Sequence, residues 1–241
     1  TGSRILQFSP YSFDASVWEI FMAIANGGTL CLARQEVLAH GPDLASHLRK
    51  ERITIMTLPP SILRILPNEN LPSISTIIAA EEECTEELVA KWADGGKKFF
   101  NAYGPTETTV CATIYSCKYS EKGNPPIGRP IFNTKVFILD GNLQPVPIGI
   151  PGELIVSGVS LARGYHNNSE MTRQRFIMSP FIPGERLYRT GDLVKYRADG
   201  NIEYLGRIDQ QVKVRGFRIE LGEIENVIKR FLEELDTFLE N

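Results

Sequence analysis

Short apolar segments alternate with helix-forming segments between residues 16 and 103, and this alternation constrains the fold more than any other feature. The strand candidates are 29–33, 53–58, 73–80 and 97–103, and the helix candidates are 16–26, 43–51 and 85–94. Strands that alternate with helices are typically parallel and covered by those helices. The pattern therefore predicts an α/β fold built on a mostly parallel sheet.

The first helix has recognisable start and stop signals. Ser16 and Glu19 match the S-x-x-E capping box, and Gly27 and Gly28 follow the segment. The sequence therefore predicts a helix over 16–26 whose first turn is closed by these two side chains.

The second half of the chain has a different pattern. Proline and glycine become frequent from about residue 125, and strand candidates at 135–140 and 152–158 follow each other closely. The sequence "ADGN" at 198–201 is typical of a hairpin turn. These features predict a small antiparallel sheet or barrel.

The last segment predicts an amphipathic helix that needs a partner. Its apolar residues recur at three- and four-residue spacing and are Ile224, Val227, Ile228, Phe231, Leu232, Leu235 and Phe238. No later element is present to cover this stripe, so we expect it to stay unburied in this chain.

Charge and cysteine usage exclude several classes of protein. The net charge of −3 argues against a nucleic-acid binder, and no apolar stretch approaches the roughly 20 residues of a membrane span. The four cysteines lack CxxC spacing and do not cluster with the three histidines, so neither a zinc site nor a disulfide framework is expected. We expect no membrane partner and a cytoplasmic location.

Three acids in turn-like segments are candidate ligand contacts. Asp14 in "FDAS" either starts a helix or lines a pocket and meets a ligand cation. Glu107 in "NAYGPTE" either is a turn residue that contacts no ligand or holds Mg²⁺. Asp192 in "YRTGDL" either belongs to a tight turn or accepts hydrogen bonds from ribose. The charged run 206–225 is by itself typical of a solvated face.

The order of these motifs is more specific than any one of them. "FDAS", "NAYGPTE", "GELIVSGVSLARGY", "YRTGDL" and "GRIDQQVKVRGFRIELGEIE" resemble the serial core motifs of the adenylate-forming superfamily. The closest resemblance is to amino-acid-activating adenylation domains of nonribosomal peptide synthetases. It implies a partial large domain over 1–208, with an α/β part at 1–124 and a mainly β part at 125–208. Residues 209–241 would form the hinge and the truncated start of a small α+β domain.

The resemblance also implies an activity. Such domains use ATP and Mg²⁺ to adenylate an amino acid and then transfer the acyl group to the phosphopantetheine thiol of a peptidyl carrier protein. Neighbouring synthetase domains would be further partners.

Roles for individual residues follow from the same resemblance. Asp14 would bind the α-ammonium group, Thr106, Glu107 and Arg207 would be catalytic, and Glu107 would hold the metal. The ATP-binding residues would be Asn101, Tyr103, Gly104, Thr106, Asp192, Tyr204 and Arg207. Asp209 would be the hinge, and the loop around Gly216 would swing in for acyl transfer.

The resemblance further implies a side-chain pocket. Its lining positions are Asp14, Ala15, Trp18, Thr57, Ile78, Ala80, Ala102, Val110 and Cys111. This flat apolar set is similar to that of phenylalanine-activating domains. Thr57 or Cys111 could accept a hydroxyl, which makes tyrosine a possible minor substrate.

The sequence departs from the family pattern in three places. Neither the phosphate-binding loop before residue 1 nor the lysine segment after the last helix is present, so we expect a fragment that is inactive alone. Glu81 stands where the family usually has a glycine whose backbone lies against adenine. Three consecutive acids there are expected to weaken ATP binding.

Two other functions remain open. An acyl- or aryl-CoA ligase would share the first reaction step, but its substrate would give Asp14 no ammonium partner. A catalytically incompetent fragment that binds nucleotide or a partner weakly is the third possibility.

Overall fold

The computed structural model describes most of the chain. The described residues are 2–69, 71–119, 122–209, 212–214, 217–219, 224–225, 227–229 and 231–232. The predicted swinging loop around Gly216 and the predicted helical positions Leu235 and Phe238 lie outside them.

A seven-stranded mixed sheet forms the first half of the fold, in the order β2-β1-β3-β4-β5-β6-β7. Its strands are β1 (Arg4–Gln7), β2 (Thr29–Leu32), β3 (Ile55–Leu58), β4 (Thr76–Ala79), β5 (Lys98–Tyr103), β6 (Thr113–Cys117) and β7 (Arg129–Pro130). Strands β1 to β5 are parallel, whereas β6 and β7 add in antiparallel fashion. The predicted α/β class is confirmed.

Helices connect the parallel strands, as the alternation predicts. They are α1 (Ala15–Ile24), α2 (Gln35–Ala39), α3 (Gly41–Lys50), α4 (Pro60–Ile65) and α5 (Glu86–Trp92). The short helices α2 and α4 have no counterpart in the sequence analysis, because five or six residues give too little periodicity to detect.

The predicted capping box is wrong. Helix α1 begins at Ala15 with Asp14 as its N-cap, and the Ser16 hydroxyl donates to the Phe13 carbonyl instead of capping. The Glu19 carboxylate accepts hydrogen bonds from the backbone N–H groups of Phe8 and Ser9. These donors lie just beyond β1, where the buried Ser9 N–H group needs an acceptor.

A second, five-stranded sheet follows the first along the chain. Its strands are β8 (Thr134–Leu139), β9 (Gly152–Gly158), β10 (Phe176–Met178), β11 (Arg186–Tyr196) and β12 (Ile202–Arg207). All its pairings are antiparallel, and the predicted hairpin turn at 198–201 joins β11 to β12. Helix α6 (Ser169–Arg175) precedes β10. The boundary at residue 124 stays a prediction, although the first sheet extends to Pro130.

The register of the parallel strands determines which side chains can form a site. Thr57 pairs with Ile78, and Ile78 pairs with Phe100, so these side chains share one face of the sheet. The neighbouring positions Met56, Ile77 and Phe99 point to the other face, where they join the largest hydrophobic core.

The described part of the C-terminal segment contains a hairpin and helical residues. Strands β13 (Val212–Val214) and β14 (Phe217–Ile219) pair in antiparallel fashion. In the helical positions that follow, Ile224, Val227 and Phe231 are exposed, as expected for the uncovered apolar stripe. No helix within the described residues is long and apolar enough to cross a membrane.

Candidate active site

The candidate residues gather at the carboxyl ends of the parallel strands, where open α/β sheets bind ligands. Strand β5 divides this region. Its residues alternate between faces, so Asn101 and Tyr103 point to one side and Ala102 to the other. Ala102 packs with Ile78 and Cys111, whereas Tyr103 packs against the core of the second sheet. Two cavities lie on the two sides of this strand.

The smaller cavity has a volume of about 40 Å³. All nine positions of the predicted side-chain pocket line it, together with Glu81 and Gly104. The structure thus brings together residues from α1, β3, β4, β5 and the loop after β5. The volume is well below the roughly 300–1,000 Å³ of ordinary ligand sites, so a bulky side chain requires the cavity to open.

Two residues that line this cavity have buried polar atoms without a hydrogen-bond partner in the described structure. These atoms are the Trp18 indole Nε1 and the Thr57 hydroxyl. The Asp14 carboxylate makes no capping hydrogen bond to α1, although Asp14 occupies the N-cap position. The Cys111 thiol donates to the Thr113 carbonyl over 3.4 Å, and burial raises its pKa to about 12. The cavity is therefore lined by two acids, Asp14 and Glu81, and by several neutral polar groups.

Close backbone packing shapes the loop that closes both cavities. A Cβ atom at Gly104 would lie 2.4 Å from the Val110 carbonyl oxygen, so only glycine fits there. Thr109 and Val110 both have positive φ angles, 61° and 68°. Two consecutive β-branched residues rarely adopt this conformation, and such strain is typical of functional sites.

The larger cavity has a volume of about 790 Å³. Five of the predicted ATP-binding residues line it, namely Asn101, Tyr103, Gly104, Tyr204 and Arg207. The Asn101 amide donates to the Pro126 carbonyl over 2.9 Å, which fixes its orientation. The remaining charged lining residues are the cation Arg197 and the acids Glu81, Glu82, Glu83 and Glu203.

Asp192 does not line either cavity but lies directly behind the wall of the larger one. Its carboxylate is buried and accepts hydrogen bonds from the Tyr103 hydroxyl and, over 2.8 Å, from Arg207. Burial, followed by the charge of Asp192, holds the pKa of Tyr103 well above its usual value, so the phenol stays protonated. A ligand hydroxyl must therefore join or displace these two donors to reach Asp192.

Thr106 and Glu107 lie in a single helical turn, Thr106–Thr108, after β5. Thr106 is exposed, whereas Glu107 is buried and accepts a hydrogen bond of 2.6 Å from the Tyr165 hydroxyl. No group of three or more His, Cys, Asp or Glu side chains among the described residues could hold a metal. Glu107 thus offers a single carboxylate, a donor set that suits Mg²⁺ bound mainly through phosphate and water.

Glu81 has an unusual backbone conformation. Its φ angle is +75°, in the left-handed region that favours glycine. Its neighbours have structural contacts: Glu82 accepts hydrogen bonds from the backbone and side chain of Ser61, and Glu83 accepts one from Asn124. Glu81 is the acid of this run that lines both cavities.

Burial, with a smaller contribution from the charge of Glu81, raises the pKa of Glu19 to about 8, and the two backbone hydrogen bonds partly oppose this shift. Glu19 is fully buried beside the loop that leads to Asp14. The position of Glu81 therefore affects both sides of β5.

The predicted hinge residue, Asp209, takes part in an ion-pair cluster. Its carboxylate contacts Arg207 over 2.7 Å and Arg175 over 3.1 Å. Sequence reasoning missed Arg175, which lies in no motif. It also assigned no role to Tyr165, although that residue closes the motif "GELIVSGVSLARGY".

Comparison with known proteins identifies relatives of this chain among large synthases. Bacitracin synthase 3 of Bacillus licheniformis is 54% identical over 236 residues, which cover 98% of this chain and 4% of that protein. CymA of Salinispora arenicola, described as a probable non-canonical nonribosomal peptide synthetase, is 50% identical over 230 residues, covering 95% of this chain and 3% of that protein. The chain therefore spans only a small part of the length of these relatives.

Solved structures share the fold. The Vibrio cholerae adenylation domain AlmE, in complex with glycyl-adenosine-5'-phosphate, superimposes with a TM-score of 0.86 at 29% identity. That match covers 95% of this chain and 45% of AlmE. The predicted mixed α/β architecture is thus that of the amino-terminal portion of adenylation domains. The family of AMP-binding enzymes matches residues 1–166, and the chain belongs to this family.

Proposed function

We propose that this chain is part of an amino-acid-activating adenylation domain of a nonribosomal peptide synthetase. The observation that carries the proposal is the pair of cavities on opposite faces of β5. The smaller one is lined by the acids Asp14 and Glu81 and otherwise by neutral residues, and the other is large enough for a nucleotide. The similarity to bacitracin synthase 3 and to CymA supports the same conclusion.

Asp14 is the proposed partner of the substrate α-ammonium group. A half-buried carboxylate that makes no capping hydrogen bond gains a charged partner when an amino acid binds. Ala15, Ile78 and Ala102 provide apolar contacts for the substrate side chain.

Phenylalanine is the proposed substrate, because the lining is apolar and contains no second charge apart from Glu81 at its edge. The ring does not fit into about 40 Å³, so Trp18, which is half-buried, must shift on binding. Tyrosine is a second candidate. The unpartnered Trp18 Nε1–H group and the Thr57 hydroxyl could donate hydrogen bonds to a phenolic oxygen.

The proposed first step forms a bond between a substrate carboxylate oxygen and the α-phosphorus of ATP and breaks the bond to the β-phosphate, releasing pyrophosphate. No protein nucleophile is required. Asn101 and Tyr103 contact the adenine, and Asp192, with Tyr204 nearby, contacts the ribose. Thr106 and Arg207 donate to phosphate oxygens, so that charge gathering there is stabilised by preorganised donors.

Glu107, with Tyr165 fixing its orientation, would hold Mg²⁺ beside the phosphates. The ion would neutralise phosphate charge during the transfer.

In the second proposed step, the phosphopantetheine thiol of a peptidyl carrier protein attacks the acyl carbonyl. A carbon–sulfur bond forms and AMP leaves. One similar solved structure combines adenylation and PCP domains, covers 95% of this chain at 29% identity and has a TM-score of 0.87, which supports such a partner.

Amino-acid-dependent ATP–pyrophosphate exchange, measured with all amino acids in the complete domain that carries this chain, tests the proposal. We expect exchange with phenylalanine, weaker exchange with tyrosine, and loss of both in Asp14→Asn. Exchange with acids that lack an α-amino group, unchanged by Asp14→Asn, would instead identify an acyl- or aryl-CoA ligase. We also propose that residues 1–241 alone are inactive, and full activity of this piece would refute that point.

A further inference from the structure

A continuous chain of hydrogen bonds and ion pairs joins the larger cavity to the beginning of the C-terminal segment. It runs from Tyr103 to Asp192, then to Arg207, Asp209 and Arg175. These five residues come from β5, β11, β12, the segment after β12 and the end of α6. This network of hydrogen bonds and ion pairs therefore connects elements that are far apart in sequence.

Arg207 lies at the centre of this network and contacts both of its carboxylates. Its Nη1 donates to Asp192 over 2.8 Å, and its Nε and Nη2 both donate to Asp209 over 2.7 Å. Burial lowers the pKa of Arg207, but the hydrogen bonds to Asp209 and the charge of Asp192 outweigh this effect and raise it. One permanently charged guanidinium thus serves two carboxylates.

Arg175 completes the charge balance. Asp192 and Asp209 carry two negative charges and Arg207 carries one positive charge, so the second cation, Arg175, makes the cluster neutral. Its Nη2 donates to Asp209 over 3.1 Å. Both side chains of this pair are partly shielded, with exposed fractions of 26% and 31%.

Gly191 lies directly against the charged side chains of the cluster. A Cβ atom there would lie 2.8 Å from Asp209, 2.9 Å from Arg207 and 3.0 Å from Arg175. The φ angle of Gly191 is +74°, and its carbonyl accepts a hydrogen bond of 2.9 Å from the Ile208 N–H group. The three charged groups converge on this glycine because a side chain is absent.

A nucleotide at the proposed site would compete for Arg207. Ribose hydroxyls that donate to Asp192 displace donors from its carboxylate, and phosphate oxygens attract the guanidinium. As Arg207 turns toward the nucleotide, its hold on Asp209 weakens. The Arg175–Asp209 ion pair does not involve Arg207 and therefore remains in place.

We propose that Arg175 is a positioning residue that keeps Asp209, and with it the start of the C-terminal segment, against α6 when the nucleotide engages Arg207. This inference rests on the proposed function, because it requires a nucleotide at Asp192. The interaction responsible is the partly shielded Arg175–Asp209 ion pair, which contributes more to holding Asp209 when the nucleotide is bound.

The test compares Arg175→Gln with the matched control Arg173→Gln in the complete domain that carries this chain. Arg173 lies on the same helix but pairs locally with the exposed Glu170 over 2.6 Å. Hydrogen–deuterium exchange of peptides covering 207–214 is measured with and without AMP, and protection around Tyr103 reports nucleotide binding.

With AMP bound, we expect exchange over 207–214 to be about two- to fivefold faster in Arg175→Gln than in the wild type. Without AMP the difference should be smaller, because Arg207 still holds Asp209, and Arg173→Gln should match the wild type in both states. Equal exchange in Arg175→Gln and the wild type, with Tyr103 protected by AMP, would overturn the inference alone. Absence of AMP protection in the wild type would refute the proposed nucleotide site, and the inference with it.

Discussion

Replacing Glu81 by glycine tests two separate effects of this residue. The backbone effect arises from its φ angle of +75°. A left-handed conformation costs an L-residue about 1–2 kcal/mol, whereas glycine avoids this strain but loses about 0.5–1 kcal/mol more in chain entropy on folding. We expect Glu81→Gly to raise the free energy of unfolding by about 0.5–1 kcal/mol.

The charge effect arises because Glu81 lines the larger cavity. A carboxylate near a triphosphate in a water-filled cavity opposes binding by about 1 kcal/mol, or about fivefold in Kd. We expect both Glu81→Gly and Glu81→Gln to tighten ATP binding by this factor. Only Glu81→Gly should also raise stability, because glutamine retains the strained backbone.

Urea unfolding and calorimetric titration with ATP, both on the complete domain, measure the two effects. Unchanged or lower stability in Glu81→Gly would refute the strain argument. Unchanged ATP affinity in both variants would refute the electrostatic one. Tighter binding in Glu81→Gly alone would point to close approach of the backbone rather than to charge.

The other predictions concern two buried acids, Glu107 and Glu19. Glu107→Ala should reduce Mg²⁺-dependent pyrophosphate exchange by about 100-fold without altering amino-acid preference. Tyr165→Phe, which keeps the carboxylate, should reduce the exchange far less. Equal losses in the two variants would argue against a role of Glu107 in metal binding. The Glu19 carboxyl has a folded pKa of about 8 against an ordinary 4.5, so the folded state keeps a proton that the unfolded state releases, and stability falls as pH rises through this window. In urea unfolding at several pH values, Glu19→Gln should lose this part of the pH dependence; a profile parallel to that of the wild type would show that Glu19 does not titrate there.

The sequence predicts four of the five strands of the parallel sheet, because their apolar runs are bounded by clear turn residues, but it misses β1 (Arg4–Gln7). The strand predicted over 53–58 forms at Ile55–Leu58, and the one over 97–103 forms at Lys98–Tyr103. The prediction fails for the capping box, since a local pattern cannot reveal that the Glu19 carboxylate is needed by N–H groups beyond β1. The hydrogen bonds that Glu19 makes in the tertiary structure replace the local capping bond that the sequence pattern favours.

Much of the cavity lining was predictable, since the nine pocket positions line the smaller cavity and five of the seven predicted ATP-binding residues line the larger one, but Thr106 and Asp192 line neither. The nine pocket positions were named from the motif resemblance, and the register of β3, β4 and β5 explains why they meet. The partners that hold the acids were not predictable. Arg175 contacts Asp209 across 34 residues, and Tyr165 contacts Glu107 across 58. Contacts this distant leave no periodic signal in one sequence.

The alternation along β5 has a consequence for how such a protein can change. Asn101 and Tyr103 line the larger cavity, whereas Ala102 lines both cavities and packs with residues of the smaller one. Ile78 and Thr57 line only the smaller cavity, so a mutation at either alters the shape offered to an incoming side chain while leaving the nucleotide-facing groups in place. Under the proposed function, single substitutions could change the amino-acid substrate without disturbing the adenylation chemistry. Strand β5 would then separate a substrate cavity that can vary from a nucleotide cavity that stays the same.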